Sequence, residues 1–173
     1  MLLCGVRIMP KQRSEMKVPD PFVMNEDCVN HSIAEFLIAK GFQHVKYLTG
    51  KQKGIDVEGE KDGWLLHVES EGSHAIEHNE DTVFGTKQIK THTYVQIGKL
   101  MECKNKSNGN ILLALANPDI PRIRSRVNKV SLSLDMLGFI RLWVQEDKTV
   151  KIEYPKQLQD CLSELGLIYI NYT

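Results

Sequence analysis

The strongest constraint in this chain is a pair of short apolar runs that carry acids at set places. They are Gly54-Ile55-Asp56-Val57 and, past a polar turn, Leu66-His67-Val68-Glu69-Ser70-Glu71-Gly72. Successive side chains of a strand alternate faces, so Glu69 and Glu71 emerge on one side, and an antiparallel partner brings Asp56 near them. Clustered carboxylates raise one another's proton affinity, so three of them at the ends of two adjacent strands are costly unless a cation such as Mg²⁺ neutralises them. Alternation with Leu66 and Val68 also produces such a polar face on any half-exposed hairpin, in which case the acids are simply solvated.

A chain of 173 residues that is 42% hydrophobic has room for one domain with a real core. Its 22 basic and 22 acidic residues cancel, so any nucleic-acid or membrane-facing surface has to arise from local asymmetry. Cys4, Cys28, Cys103 and Cys161 are far apart with no C-x-x-C pair, which argues against a structural zinc site and against a disulfide framework. The apolar start Met1–Val6 is too short for a secretion signal, and no apolar run reaches membrane-spanning length. The expectation is a soluble, cytoplasmic protein with no membrane partner and reduced thiols.

Residues 1–24 hold Pro10, Pro19 and Pro21 and the basic stretch Lys11-Gln12-Arg13 without periodicity, and read as a mobile or loosely docked arm ahead of a domain filling 25–173. Asn25 suits a helix cap, Glu26 and Asp27 suit a first turn, and Val29, Ile33, Phe36 and Leu37 form one stripe until Gly41. Strands follow at His44–Leu48, Ile55–Glu58 and Trp64–Ser70, the last two joined by an Asp62-Gly63 hairpin turn. Gly72–Gly85 reads as a polar loop. A second helix runs over Thr86–Cys103, with Ile89, Thr93, Ile97 and Leu100 inward. Ile111–Ala116 is continuously apolar, as a central strand buried on both faces would be. A third helix is expected from Asn117-Pro118-Asp119 to Gly138, then strands Phe139–Val144 and Thr149–Glu153 and a short helix from Pro155 to about Leu165. The order α-β-β-β-α-β-α-β-β-α describes an α/β (α+β) domain with a mixed central sheet flanked by helices.

That order, with Asp at the second strand and Glu-x-acid at the end of the third, resembles the PD-(D/E)XK nuclease superfamily, the restriction-endonuclease-like fold, over roughly Asn25 to Glu153. Asp56 falls at the family's metal-binding Asp in its G-x-D setting. Glu69 falls at the following Glu, usually set in a V-E-x-K-G strand end, and Glu35 sits where many members carry an extra acid on the first helix. Leu115-Ala116-Asn117-Pro118-Asp119 and the strand ending Trp143-Val144 look like the tail of Mrr-like and restriction-type domains. The resemblance implies metal-dependent hydrolysis of DNA phosphodiesters, with Mg²⁺ or Mn²⁺ held by Asp56, Glu69 and the backbone carbonyl of Ser70.

One departure matters, because Glu71 stands where the family carries its catalytic Lys. Some restriction enzymes of the superfamily carry Glu there and remain active, which would make Glu71 a further metal ligand or a general base. In other members the Lys has moved to the second helix, where Lys87 and Lys90 are the candidates. The alternative is a catalytically silent nuclease-fold protein that binds DNA or a protein partner. A further variant acts only as a homodimer or with a separate specificity or repair protein, since this length leaves little room for target recognition.

Lys51, Lys53 and the polar segment beginning at Ser73 lie beside the acids and, with Lys87 and Lys90, are the candidate nucleic-acid contacts. Arg122, Arg126 and Lys129 share a face of the third helix, either to grip phosphates or as a solvated face. His67, His74, His78 and His92 raise a zinc hypothesis, but no cysteine lies near and the segment around His74 and His78 reads as loop. Trp64 and Trp143 read as core aromatics.

Overall fold

The computed structural model describes residues 9–169. It contains β1 (Lys11–Gln12), α1 (Glu26–Ala39), β2 (Gln43–Tyr47), β3 (Val57–Lys61), β4 (Trp64–Ser70), β5 (Thr82–Val83) and α2 (Thr86–Lys106). Beyond these come β6 (Ile111–Pro118), α3 (Pro121–Asn128), α4 (Ser131–Leu137), β7 (Phe139–Val144), β8 (Val150–Glu153) and α5 (Gln159–Glu164). Six strands form one mixed sheet in the order β2-β3-β4-β6-β7-β8, antiparallel except for the parallel pairs β4/β6 and β6/β7. Parallel neighbours need crossover connections, and α2 and the α3–α4 pair supply them.

Helices cover both faces, so the central strands are apolar on both sides, as their sequence requires. Leu112, Ala114 and Ala116 of β6 join Val57, Leu66, Val68, Ile33, Ala34 and Leu37 in the layer under α1. The alternate residues Leu113 and Leu115 join Ile89, Leu100, Ile123, Val127, Phe139 and Trp143 under α2 and α3. The same period places Glu69 on the α2 side of β4 and leaves Ser70 on the α1 side, where its hydroxyl meets Asn30. The sheet register is therefore what aims the acids.

The expected mixed α/β (α+β) architecture is present, with several differences of detail. Asp62 and Gly63 both take positive φ, 50° and 78°, which is the two-residue turn that the right-handed twist of a hairpin favours. The third helix is two helices, because Val130 (φ −125°, ψ 13°) leaves the helical region between α3 and α4. β6 runs on through Pro118, and the helix starts with Pro121 in its first turn, where a missing N–H costs nothing. Strand β3 begins two residues later than expected, at Val57, so Asp56 sits just outside it.

The arm expected to be mobile or loosely docked is tied down over residues 9–24. β1 pairs with β5, Arg13 donates from Nε to the Asp20 carbonyl at 2.7 Å, and Met24 is in the core. Asp20 is 2% exposed and accepts from Nε of Arg122 at 2.7 Å. A side chain this polar is buried at little cost only when it is paired in this way. Residues 1–8, with the apolar start and Cys4, lie outside the described residues. Among the described residues, no helix is long and apolar enough to cross a membrane, and Cys28, Cys103 and Cys161 are free thiols.

Candidate functional site

Val57 of β3 pairs with Val68 of β4, so the next step beyond that pair sets Asp56 against Glu69. Both are buried, Asp56 to 5% and Glu69 to 2% exposure. The Asp56 backbone is fixed by Leu48, whose N–H donates to its carbonyl at 2.8 Å, and its Oδ2 accepts from the Ser70 N–H at 2.8 Å. Glu69 Oε2 accepts from Nζ of Lys99 at 2.7 Å. Under this pair lies Gln96, 1% exposed, whose Nε2 donates to the carbonyls of Glu69 (2.7 Å) and Ala116 (3.1 Å) and so locks α2 to the adjacent ends of β4 and β6.

The electrostatics are those of acids short of countercharge. Burial raises the proton affinity of Glu69 until it ionises at about 7, with neighbouring Asp56 adding to the rise and the Lys99 hydrogen bond opposing it. Asp56 is raised too, by burial, against the pull of the Ser70 N–H and of Lys99. Glu26, first residue of α1, is pushed up to about 7 by burial and by the charges of Glu71 and Asp56. For Lys99, burial works against the ammonium, but Glu69, Asp56 and Glu71 outweigh it and the lysine holds its proton more tightly than usual.

Glu26 reaches the cluster because the start of α1 abuts the end of β4. A β-carbon on Gly72 would lie 2.7 Å from the Glu26 nitrogen and 2.8 Å from the Met24 carbonyl oxygen, so only glycine permits this approach. Ser73 completes the joint. Its N–H donates to the Met24 carbonyl at 2.7 Å, and its Oγ accepts from the Met24 N–H at 2.9 Å.

Sequence reasoning and structure part on several residues. Glu35 is exposed and lines a different cleft with His31 and Tyr47. It lies nine positions from Glu26, about half a turn round the helix at about 100° per residue. Lys87 and Lys90 are exposed, and Lys90 lies over the Tyr94 ring. Again the residue that reaches the acids, Lys99, is nine positions on and faces the other way. The signal that could have found it is the stripe His92, Gln96, Lys99, spaced four and three. Ser73, expected to face nucleic acid, is fully buried and structural.

Glu71 is held by His92, whose Nδ1 lies 2.8 Å from its Oε2, a contact that makes the imidazole more basic. The His92 ring packs on Phe84, centroids 4.5 Å apart. Glu26, Lys51, Glu71, His74 and His92 share the wall of an open cleft of about 630 Å³. Lys53 is exposed in the same loop as Lys51 but is not part of that wall. His67 faces Glu58 at 3.6 Å, and burial makes both it and His74 less basic.

As the side chains stand, no group of three or more His, Cys, Asp or Glu among the described residues closes round a point as a ready cation cage. The oxygen donors of Asp56 and Glu69, two buried carboxylates whose proton affinities burial raises, are of the kind a hard divalent cation takes. A divalent ion would release Lys99 from its present place on Glu69. Comparison with family models, curated proteins and solved structures returned no match to this chain.

Proposed function

We propose that this chain is a metal-dependent DNA endonuclease of the PD-(D/E)XK type, serving restriction or repair. One observation carries the reading: Asp56 and Glu69, opposed across the β3–β4 hairpin, are buried side by side with Lys99 on Glu69, and an open cleft lies against the neighbouring Glu26 and Glu71. In it, Asp56, Glu69 and the Ser70 carbonyl would hold Mg²⁺ or Mn²⁺, with Glu26 adding charge, and an ion bound there would supply Lewis-acid chemistry. Lys99 would orient the attacking water and offset charge developing on the phosphate. Glu71, with the place of the usual lysine, is held by His92, whose basicity the contact raises. Target choice comes from a second copy or from a separate specificity protein, and the free thiols fit a cytoplasmic setting.

The second reading is a silent nuclease-fold protein that binds DNA or a protein partner, and the Lys99–Glu69 pair favours it, because that pair neutralises part of the cluster without metal. Nicking of supercoiled plasmid in Mg²⁺ or Mn²⁺, wild type beside Glu69→Ala, separates the two. Metal-dependent nicking lost in Glu69→Ala supports the nuclease. Equal traces in both proteins, with no stabilisation of wild type by metal, refute it.

A further inference from the structure

The chain is neutral as a whole, yet its charges are segregated. From Thr86 to Met101, α2 contains no Asp or Glu, and α3 contains none at all. These two helices pack together, and between the first turn of α2 and the length of α3 lies a cleft of about 340 Å³. Its wall includes the hydroxyl residues Thr86 and Ser125 with Arg122, Arg126 and Lys129 and no carboxylate. Lys90, one turn beyond Thr86, extends the same flank of α2.

Helix energetics do not account for this pattern. First turns favour acids, because the backbone dipole is positive there, yet neither helix has one, and Lys87 and Arg122 stand in those turns instead. Arg122 is compensated by Asp20. Among the described residues, Lys87, Lys90, Arg126 and Lys129 have no ion-pair partner, although Arg126 is half-buried. A half-buried guanidinium with no acceptor is a group prepared for one that arrives from outside.

We infer that the α2–α3 cleft is a docking track for the phosphodiester backbone of a nucleic acid. It goes beyond the acid cluster, which lies on the opposite flank of α2, and borrows from the nuclease reading only the kind of polyanion. A phosphodiester backbone offers repeated anionic oxygens and no donors, the complement of a wall made of guanidinium, ammonium and hydroxyl groups. An acidic peptide carries its charges only at side-chain ends spaced by uncharged backbone, and so offers this wall a sparser row of anionic oxygens than a phosphodiester chain does. The N-terminal end of α2 stands between this cleft and the acid cluster, since Arg122 Nη1 donates to the Phe84 carbonyl at 3.0 Å and Phe84 lines the other cleft. A bound strand therefore has a short path to the carboxylates.

Fluorescence anisotropy in EDTA tests this without cleavage, using labelled duplex DNA, single-stranded DNA and duplex RNA, with polyglutamate as competitor. The variant is Arg126→Glu with Lys129→Glu, and the charge-matched control is Lys151→Glu with Lys156→Glu, each checked for wild-type unfolding. The expected result is about tenfold or more weaker binding in the first variant alone, and a slope of log K against log salt shallower by about 2. Failure of wild type to bind any of the three nucleic acids overturns the inference. So does equal behaviour of variant and control, or polyglutamate displacing DNA as effectively as unlabelled DNA does. Binding through this cleft by a protein that cuts nothing would sink the nuclease and keep the inference; cutting with undiminished binding in the variant would do the reverse.

Discussion

Replacing Glu69 by Gln should make the metal-free protein more stable, and only at a pH that charges the wild-type carboxyl. Glu69 has a reference value of 4.5 in the open chain and ionises at about 7 in the fold. Its raised value means that the folded state holds the proton more tightly, so stability is highest below about 4.5, falls as pH rises towards 7, and is constant beyond. At about 1.4 kcal/mol per pH unit, charging this buried group opposes folding by about 3 kcal/mol above pH 7. Gln keeps the shape and removes the charge. The pull of Lys99 on the carboxylate is already contained in the value of about 7, so losing that partner is not subtracted again. The net gain for Glu69→Gln is therefore about 3 kcal/mol at pH 8 to 9 and about zero at pH 4, equivalent to about 6–12 °C in Tm for a chain of this length. Urea unfolding at pH 4, 6 and 9 in EDTA reads it directly. A variant less stable than wild type at pH 9, or equally stabilised at pH 4 and pH 9, would show that the carboxylates are not short of countercharge. Mg²⁺ or Mn²⁺ at pH 8 should then raise the Tm of wild type and leave Glu69→Gln unmoved.

Lys99→Met should lower the rate of plasmid nicking at saturating DNA by about a hundredfold, while Lys90→Met leaves that rate within about twofold, because only Lys99 reaches the acids; comparable rates in the two variants would return the role to the other flank. Gly72→Ala forces a β-carbon against the backbone of Met24 to Glu26 and should destabilise by about 2 kcal/mol or more in urea, so a loss under about 0.5 kcal/mol would contradict the close approach. Gln96→Leu strips the side-chain donor from two buried carbonyls and should cost about 2 kcal/mol, with faster hydrogen exchange at the ends of β4 and β6; unchanged exchange there would remove Gln96 as their clamp.

Strand positions of the site were legible because a strand has a period of two and its register is closed by a short hairpin. Once Asp62-Gly63 is recognised as the turn, the β3–β4 pairing follows, and with it the approach of Asp56 to Glu69. Helix positions were not legible in the same way. An amphipathic stripe says which side of a helix is buried but not which of its two flanks meets the strand ends, and in both α1 and α2 that flank is the one opposite Glu35 and Lys90. Glu35 and Lys90 were plausible by residue type, whereas Glu26 and Lys99 face the acids. Composition was equally silent about the α2–α3 face, since a net charge of zero averages over surfaces that only packing separates.

The amino-acid sequence by itself determined the alternation of strands and helices, the hairpin that opposes Asp56 and Glu69, and a β6 apolar enough to lie between two layers, all of them consequences of local periodicity and turn chemistry. Tertiary structure alone decided which helical side chains join them. Glu26 enters through the glycine contact at Gly72, Lys99 through the Gln96 clamp, and His92 through Glu71. Those choices depend on how each helix is rotated about its axis against the sheet. That rotation is set by the summed packing of both apolar layers rather than by any residue near the site.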